Sequence, residues 1–173
     1  MKILLRPEEA SDIETIFDLN KQAFGRDNEA KIVDLLRCKK TFIPTLSIVA
    51  IRENQLVGHI LFTLVEIIDN QTIRYQSLAL APVAVHPDYQ SEGIGTQMIK
   101  YGLNQAQQLG FKSVIVLGRE TYYPRFGFLP ASHWNIYPPF DVPSYHFMAM
   151  ELKPGGLHGV SGTVDFPSEF SMA

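Results

Sequence analysis

The sequence predicts an α/β (α+β) fold, in which a mixed, mainly antiparallel central sheet of six to seven strands is flanked by about four helices. Three observations predict it. Apolar residues recur at helical spacing near the N-terminus, and long β-branched and apolar runs separated by short turns follow them. A glycine-rich turn then joins an apolar run to an amphipathic segment, which indicates one β-α-β crossover in the sheet.

The N-terminal part predicts one strand and two helices. Lys2–Arg6 is predicted to form a short strand. Residues 11–14, Ser-Asp-Ile-Glu, have the pattern of a capping box, in which hydroxyl and carboxylate satisfy backbone N–H groups at a helix start. Gly25 ends this helix, and Asn28 caps a second, shorter one. The expected buried stripe of the second helix is Ile32, Val33, Leu35 and Leu36.

The middle of the chain predicts three strands and a helix. Leu46–Glu53, Leu56–Ile68 and Thr72–Val85 are rich in β-branched and apolar residues, and short polar turns separate them. Such a series is typical of an antiparallel meander. The following segment, Thr96–Leu109, has apolar residues on one face and ends at Gly110, which predicts an amphipathic helix.

The C-terminal part predicts a central strand, a short helix and a last strand. Phe111–Leu117 is almost wholly apolar, as expected at the centre of a sheet. Glu120–Phe126 has the length of a short helix, and His146–Leu152 is the last predicted strand. Residues 1–153 are therefore expected to form one domain. Residues 154–173 are rich in Gly and Ser and are expected to form a loosely attached C-terminal tail.

The composition fits one globular domain and limits the kinds of partner. The 173 residues are 46% hydrophobic, and 15 basic against 18 acidic residues give a net charge of -3. This balance gives no electrostatic basis for binding nucleic acid or a membrane. Apolar runs such as Ile60–Val65 have strand length, far short of a membrane span. The one cysteine, Cys38, excludes an intramolecular disulfide and is expected to be a packing residue. We therefore expect a soluble cytoplasmic protein.

The most informative segment is Gln90–Gly95, where an apolar strand ends in a His-Pro-Asp turn and Gln-x-x-Gly-x-Gly opens a helix. Backbone N–H groups and the positive end of the helix dipole converge at such a junction, which favours an anion and above all a phosphate. A Rossmann site would need a third glycine where Met98 stands, and a P-loop would need a lysine where Thr96 stands. The remaining alternative is a turn that merely joins two elements.

Two motifs and the order of elements identify a family resemblance. The chain resembles the GCN5-related N-acetyltransferase (GNAT) superfamily, whose signature Arg/Gln-x-x-Gly-x-Gly/Ala is matched by Gln90–Gly95. A second signature, a Tyr four residues before a Gly-Phe pair, is matched by Tyr123 and residues 127–128. The resemblance extends over about residues 2–152, and the sequence of the tail is similar to a subgroup of small, predicted bacterial-type N-acetyltransferases.

The resemblance implies acetyl-CoA as co-substrate and a primary amine of a small molecule or peptide as acceptor. It implies that backbone N–H groups of the glycine turn bind the pyrophosphate and that the preceding strand pairs with the pantetheine arm. Pro82 in that strand is expected to mark where strand pairing stops. The five histidines show no metal-ligand spacing, so no metal is expected. The implied cofactor-binding residues are Val83, Ala84, Val85, Gln90, Ser91, Glu92, Gly93, Ile94, Gly95 and Thr96.

The resemblance also assigns catalytic roles. Tyr123 occupies the position of the general acid that protonates the leaving thiolate. The general base stays open between Glu66, Glu29 and strand carbonyls with a water chain, because each glutamate also fits an ordinary surface position. His86 lies next to the glycine turn and is expected to be a turn residue rather than a base.

The acceptor and the class of function leave alternatives. The acceptor side implied by the resemblance is roughly Phe24–Leu36 and Ser132–Tyr145. One alternative function is a non-catalytic acyl-CoA-binding regulatory module, and another is an acyltransferase that prefers a hydroxyl or a longer acyl group. The family is often dimeric, so a homodimer is also open. Within the two acceptor segments, apolar walls would come from Phe24, Trp134, Tyr137 and Phe140, and amine partners from Glu29 and Asp141.

Overall fold

The computed structural model describes residues 2–172, which form a mixed α/β fold with three α-helices and nine strands, most of them antiparallel. The predicted fold class is confirmed, although the described residues contain nine strands and three α-helices where six to seven strands and about four helices were expected. The helices are α1 (Ile13–Phe24), α2 (Asn28–Arg37) and α3 (Ile94–Gln108). The strands are β1 (Leu4–Pro7), β2 (Phe42–Arg52), β3 (Gln55–Ile68), β4 (Arg74–Val85), β5 (Ser113–Leu117), β6 (Leu129–Pro130), β7 (Ile136–Tyr137), β8 (Phe147–Glu151) and β9 (Gly162–Asp165).

The chain divides into two compact units. Unit 1 comprises residues 2–63, 81–105 and 168–172. Here β1 pairs antiparallel with β2, and β2 pairs antiparallel with the first part of β3. A Cβ added at Gly102 of α3 would lie 2.3 Å from Cε2 of Phe62, so only glycine lets the helix approach β3 this closely. The core of unit 1 includes Ile16, Leu19, Ile32, Val33, Leu36, Val49, Leu56 and Leu61.

Unit 2 comprises residues 64–80 and 106–167. Its β4 segment pairs parallel with β5, Leu78 opposite Val114, while β5 pairs antiparallel with β8. The short β6 pairs with β8, and β9 pairs antiparallel with the end of β3 and parallel with β7. The parallel β4–β5 pair, with α3 between them in the chain, confirms the predicted β-α-β crossover. The core of unit 2 includes Val65, Ile67, Ile115, Ile136, Phe147, Leu157 and Val164.

The segment after residue 153 is built into the fold, and the prediction of a loosely attached tail is wrong for the described residues. Val164 of β9 is fully buried and pairs with Ile67 of β3. In unit 1, Phe170 packs against the core, and the Lys39 ammonium lies 2.9 Å from the Glu169 carboxylate. The Gly- and Ser-rich composition of the segment does not indicate these few apolar residues. Their burial holds the segment in the fold.

Three predicted helix features are wrong. Asn28, expected to cap α2, is its first helical residue, and Asp27 takes the cap position. The fourth helix, predicted over Glu120–Phe126, is a 3₁₀ turn at Tyr123–Phe126, because Pro124 removes a backbone donor and Gly127 then adopts the left-handed conformation. Instead of the capping box predicted for residues 11–14, the carboxylate of Asp12 accepts a hydrogen bond from the backbone N–H of Glu9 at 2.7 Å. Asp12 also pairs with Arg6, so it is held more firmly than a serine hydroxyl would be.

Two predicted packing residues are exposed. Leu35 was expected in the buried stripe of α2, but its side chain is 45% exposed, while the other three residues of the stripe are buried. Cys38 was expected to pack in the interior, but it follows the last turn of α2 and is exposed. Both lie where the helix surface turns away from the core, which the apolar character of a residue cannot reveal.

A buried polar cluster joins α1 to the sheet in unit 1. The Nε2 atom of His59 lies 2.9 Å from Oγ of Ser47, and its Nδ1 atom lies 3.3 Å from Nδ2 of Asn20. Because an amide nitrogen only donates, Nδ1 is the acceptor and the Nε2–H donates to Ser47. Burial, and then the positive charge of Arg37, lower the pKa of His59 to about 3, against a smaller opposite effect of Asp12. His59 is therefore neutral in the folded protein at neutral pH.

This cluster predicts a loss of stability in mild acid. The folded pKa of His59 lies below the unfolded value of 6.5, so its contribution is complete above pH 6.5 and falls as the pH drops toward 3. The free energy of unfolding should be lower by about 2 kcal/mol at pH 5 than at pH 7.5, measured by urea unfolding. His158→Gln, at an exposed position, should keep this dependence, and His59→Gln should lose it. An unchanged slope in His59→Gln would show that other groups cause the loss.

Candidate active site

The glycine turn connects β4 to α3 through two short bends. Pro87–Tyr89 forms a 3₁₀ turn, and Nδ1 of His86 accepts a hydrogen bond from the backbone N–H of Asp88 at 3.2 Å. Ser91 and Gly93 then adopt left-handed backbone conformations, with φ of 65° and 83°. His86 therefore helps to shape the turn.

The start of α3 offers the donors that a phosphate requires. The first N–H groups of a helix have no acceptor within the helix, and the helix dipole places positive potential at the same point. A Cβ added at Gly93 would meet no atom within 4 Å, so the space beside this backbone is open to a ligand. The side chain of Gln90 donates from Nε2 to the carbonyl of Val85 at 3.0 Å, which ties the turn to the end of β4. These features fit a phosphate group.

The strand before the turn has the features expected of a partner for the pantetheine arm. Within unit 2, β4 pairs with β5 through Leu78 and Ala79. Val83–Val85 belong to unit 1 and follow Pro82, whose peptide bond with Ala81 is cis. Since proline has no N–H group, it cannot donate to a strand on either side.

An arginine from β2 lies beside the glycine turn. Arg52 forms an ion pair with Glu92, and its guanidinium carbon lies 5.2 Å from the ring centre of Tyr89. The hydroxyl of Tyr89 in turn donates to Oε1 of Gln55 at 3.1 Å. The sequence analysis did not identify Arg52, because it precedes Glu92 by 40 residues and belongs to no motif.

Tyr123 is held against the end of β5. A Cβ added at Gly118 would lie 2.2 Å from Cε2 of Tyr123, so the ring lies on the face of that glycine. The rings of Tyr122 and Phe128 pack edge-on at centroid distances of 5.1 Å and 5.7 Å. Burial, followed by Tyr122, raises the pKa of Tyr123 to about 12, while Arg119 acts in the opposite direction. The hydroxyl is thus a proton donor throughout the neutral range.

Both candidate bases are engaged by arginines. Oε1 of Glu66 lies 3.1 Å from Nη1 of Arg74, and the carboxylate is 44% exposed. Glu29 is buried at the start of α2, where Arg26 Nε donates to its two oxygens at 3.0 and 3.1 Å. Either carboxylate would have to exchange its arginine for an amine proton. The structure thus leaves the choice of base open.

The candidate residues are divided between the two units. Val83–Val85, Gln90–Thr96 and Glu29 belong to unit 1, where the turn and the end of β4 are hydrogen-bonded. Glu66 and Tyr123 belong to unit 2. Among residues 2–172, no three His, Cys, Asp or Glu side chains form a group that could hold a metal ion. Within the same residues, no helix is long and apolar enough to cross a membrane.

The fold and these motifs define an acyltransferase domain. Residues 13–128 match the family model described as the acetyltransferase (GNAT) family. The match covers most of the chain, which therefore belongs to the GNAT family and is an N-acetyltransferase.

Several relatives match over most of their length. The chain is 38% identical to the uncharacterized N-acetyltransferase YjhQ of Escherichia coli K12 over 79% of the chain and 75% of that protein. It is 32% identical to the uncharacterized N-acetyltransferase YhbS of the same strain, over 98% of the chain and 99% of that protein.

Two solved structures of similar proteins contain CoA or acetyl-CoA. The crystal structure of E. coli YhbS in complex with CoA matches with a TM-score of 0.90 and 31% identity, covering 99% of the chain and 93% of that protein. A GNAT family acetyltransferase from Brucella melitensis, in complex with acetyl-CoA, matches with a TM-score of 0.79 and 30% identity over 98% of each chain.

Proposed function

We propose that the protein transfers the acetyl group of acetyl-CoA to a primary amine of a small molecule or peptide by direct attack. The observation that carries the proposal is the turn between β4 and α3, where left-handed Ser91 and Gly93 precede a helix start open to a phosphate. The two structural relatives are in complex with CoA and with acetyl-CoA, which supports acetyl-CoA as the co-substrate.

The cofactor would be held mainly by backbone groups. N–H groups across Gln90–Thr96 would bind the pyrophosphate, and Val83–Val85 would pair with the amides of the pantetheine arm. Gln90 itself is occupied by the carbonyl of Val85, so its proposed contribution is to shape the turn rather than to contact phosphate directly. Acetyl-CoA would supply the acetyl group through its thioester.

The acceptor must be a neutral amine when it attacks. An amine with a pKa of about 10.4 is in its free-base form in roughly one molecule in a few thousand at pH 7, so a base is needed. Glu66, Glu29 or a water chain would take the proton that the nitrogen loses as its new bond to the acetyl carbon forms. Arg74 and Arg26 already pair with these glutamates, so the acceptor amine would have to displace an arginine from either carboxylate.

The leaving sulfur needs a proton as its bond to the acetyl carbon breaks. The hydroxyl of Tyr123 would donate it and would then be reprotonated from solvent. Its pKa of about 12 keeps the Tyr123 hydroxyl protonated at neutral pH. The thiol of CoA, with a pKa of about 8.5, forms only if a proton reaches the leaving thiolate. The products are an amide and free CoA, and no acetyl-enzyme forms.

The sequence alone also allowed a non-catalytic module that binds acyl-CoA to regulate a partner, and membership of the acetyltransferase family argues against it. A proton donor held in a ring cluster favours the enzyme, because binding alone does not need it. To separate them, the protein is incubated with acetyl-CoA and a panel of amines, and free thiol and acetylated amine are both measured. The proposal predicts equal amounts of the two with at least one amine, above a control without amine. Tight CoA binding without thiol release for every amine would favour the module.

A further inference from the structure

The glycine turn carries an electrostatic problem for the ligand proposed above. Within Gln90–Thr96 the one ionisable side chain is Glu92, and its negative charge would repel the phosphates of CoA. Gln90, where the family signature also allows arginine, is neutral. The turn therefore supplies no cation of its own, and a nearby positive side chain would have a direct effect on phosphate binding.

Arg52 provides that positive charge from outside the motif. It lies at the end of β2, and only 14% of its side chain is exposed. Its ion pair with Glu92 brings the guanidinium to the turn, and the ring of Tyr89 lies beneath it at 5.2 Å. The hydrogen bond from Tyr89 to Gln55 fixes that ring in turn. A guanidinium held between a carboxylate and an aromatic ring loses little freedom when it binds another anion.

We propose that Arg52 is a phosphate ligand for CoA and that Glu92 and Tyr89 hold its guanidinium in place at the glycine turn. This inference rests on the proposed function. Arginine has five N–H donors in a planar fork, so one guanidinium can bridge a carboxylate and a phosphate. Glu92 then has a role in a phosphate-binding turn, because it positions the guanidinium whose charge offsets its own. The phosphate is either one of the pyrophosphate or the 3′-phosphate.

The test is a set of dissociation constants for CoA, measured by calorimetry on the full chain. Arg52→Gln should weaken CoA binding by about tenfold to a hundredfold, as expected for loss of a charge-assisted contact. Glu92→Gln should weaken CoA binding less than Arg52→Gln does, since the guanidinium loses one of its two supports and keeps its place on Tyr89. Arg6→Gln, which also breaks an arginine–carboxylate pair in unit 1, should leave CoA affinity unchanged.

The double variant Arg52→Gln/Glu92→Gln separates a direct contact from simple neutralisation of Glu92. A direct contact predicts that the double variant binds CoA more weakly than both the wild type and Glu92→Gln, although the repulsion by Glu92 is gone. If Arg52 only cancels the charge of Glu92, the double variant should recover wild-type affinity, which would overturn the proposal. With 3′-dephospho-CoA, a persisting loss in Arg52→Gln assigns the contact to the pyrophosphate, and a vanishing loss assigns it to the 3′-phosphate. Either assignment supports the proposal.

A second substitution protects the test against misfolding. Arg52→Lys keeps the charge and removes the planar fork, so it should fold and bind CoA several-fold more weakly than the wild type. Wild-type affinity in both Arg52→Lys and Arg52→Gln would overturn the role of Arg52 while leaving the proposed function intact. Failure of the wild-type protein to bind CoA would instead overturn the proposed function and this inference with it.

Discussion

Tyr123→Phe is expected to lower kcat for acetyl transfer by about 100-fold and to leave the dissociation constant of CoA within about twofold of the wild type. The substitution removes the hydroxyl and keeps the ring, so the contacts with Gly118, Tyr122 and Phe128 are retained. The expected loss therefore reports on the proton that the leaving sulfur no longer receives.

Tyr122→Phe is the matched control, because it removes the hydroxyl of a neighbouring ring that packs at 5.1 Å from Tyr123. Its kcat should stay within about threefold of the wild type, below the smallest effect expected for a general acid. Since the pKa of Tyr123 is about 12, wild-type kcat should also show no fall from tyrosine ionisation as the pH rises from 8 to 10. Equal turnover in Tyr123→Phe and the wild type would contradict the role of this hydroxyl.

Gly118→Ala is expected to lower kcat by about tenfold, because a moved general acid loses part of its contribution. The new Cβ would lie 2.2 Å from Cε2 of Tyr123, and the packed rings of Tyr122 and Phe128 limit where the displaced ring can go. CoA affinity should stay unchanged, since the substitution alters none of the residues proposed to hold the pyrophosphate or the pantetheine arm. Initial rates and CoA titrations on the same preparations measure both quantities.

The background of Tyr123→Phe distinguishes positioning from general damage. If Gly118 acts by placing the Tyr123 hydroxyl, Gly118→Ala should cause little further loss once that hydroxyl is absent. Multiplying losses in the double variant would show that the alanine harms turnover by another route. Thermal unfolding of each variant reports any loss of folded protein separately.

Local pattern was sufficient to predict the elements that carry the site. The β-branched and apolar runs of β3 and β4, and the helical spacing from Thr96 onward, predicted the strand–turn–helix order around Gln90–Gly95. Glycine adopts left-handed conformations that other residues rarely reach, so glycines between a strand and a helix predict a tight turn from a few residues. Gly93 adopts such a conformation, and so does Ser91, which the sequence did not predict.

Features that depend on distant residues could not be predicted. No local pattern indicates that Arg52 pairs with Glu92, because the register of β2 and the bend of the turn decide it together. The packing of the Tyr123 ring against Gly118 likewise depends on the path of the chain after β5. Val164 was hidden in a Gly-rich segment, where a single buried residue gives no periodic signal.

The most direct test is a crystal structure of the protein with CoA. We expect pyrophosphate oxygens to accept hydrogen bonds from backbone N–H groups within Gln90–Thr96, and the pantetheine arm to pair with Val83–Val85. The Tyr123 hydroxyl should be the nearest proton donor to the sulfur. CoA bound elsewhere with the glycine turn empty, or a sulfur beyond the reach of Tyr123, would contradict these expectations.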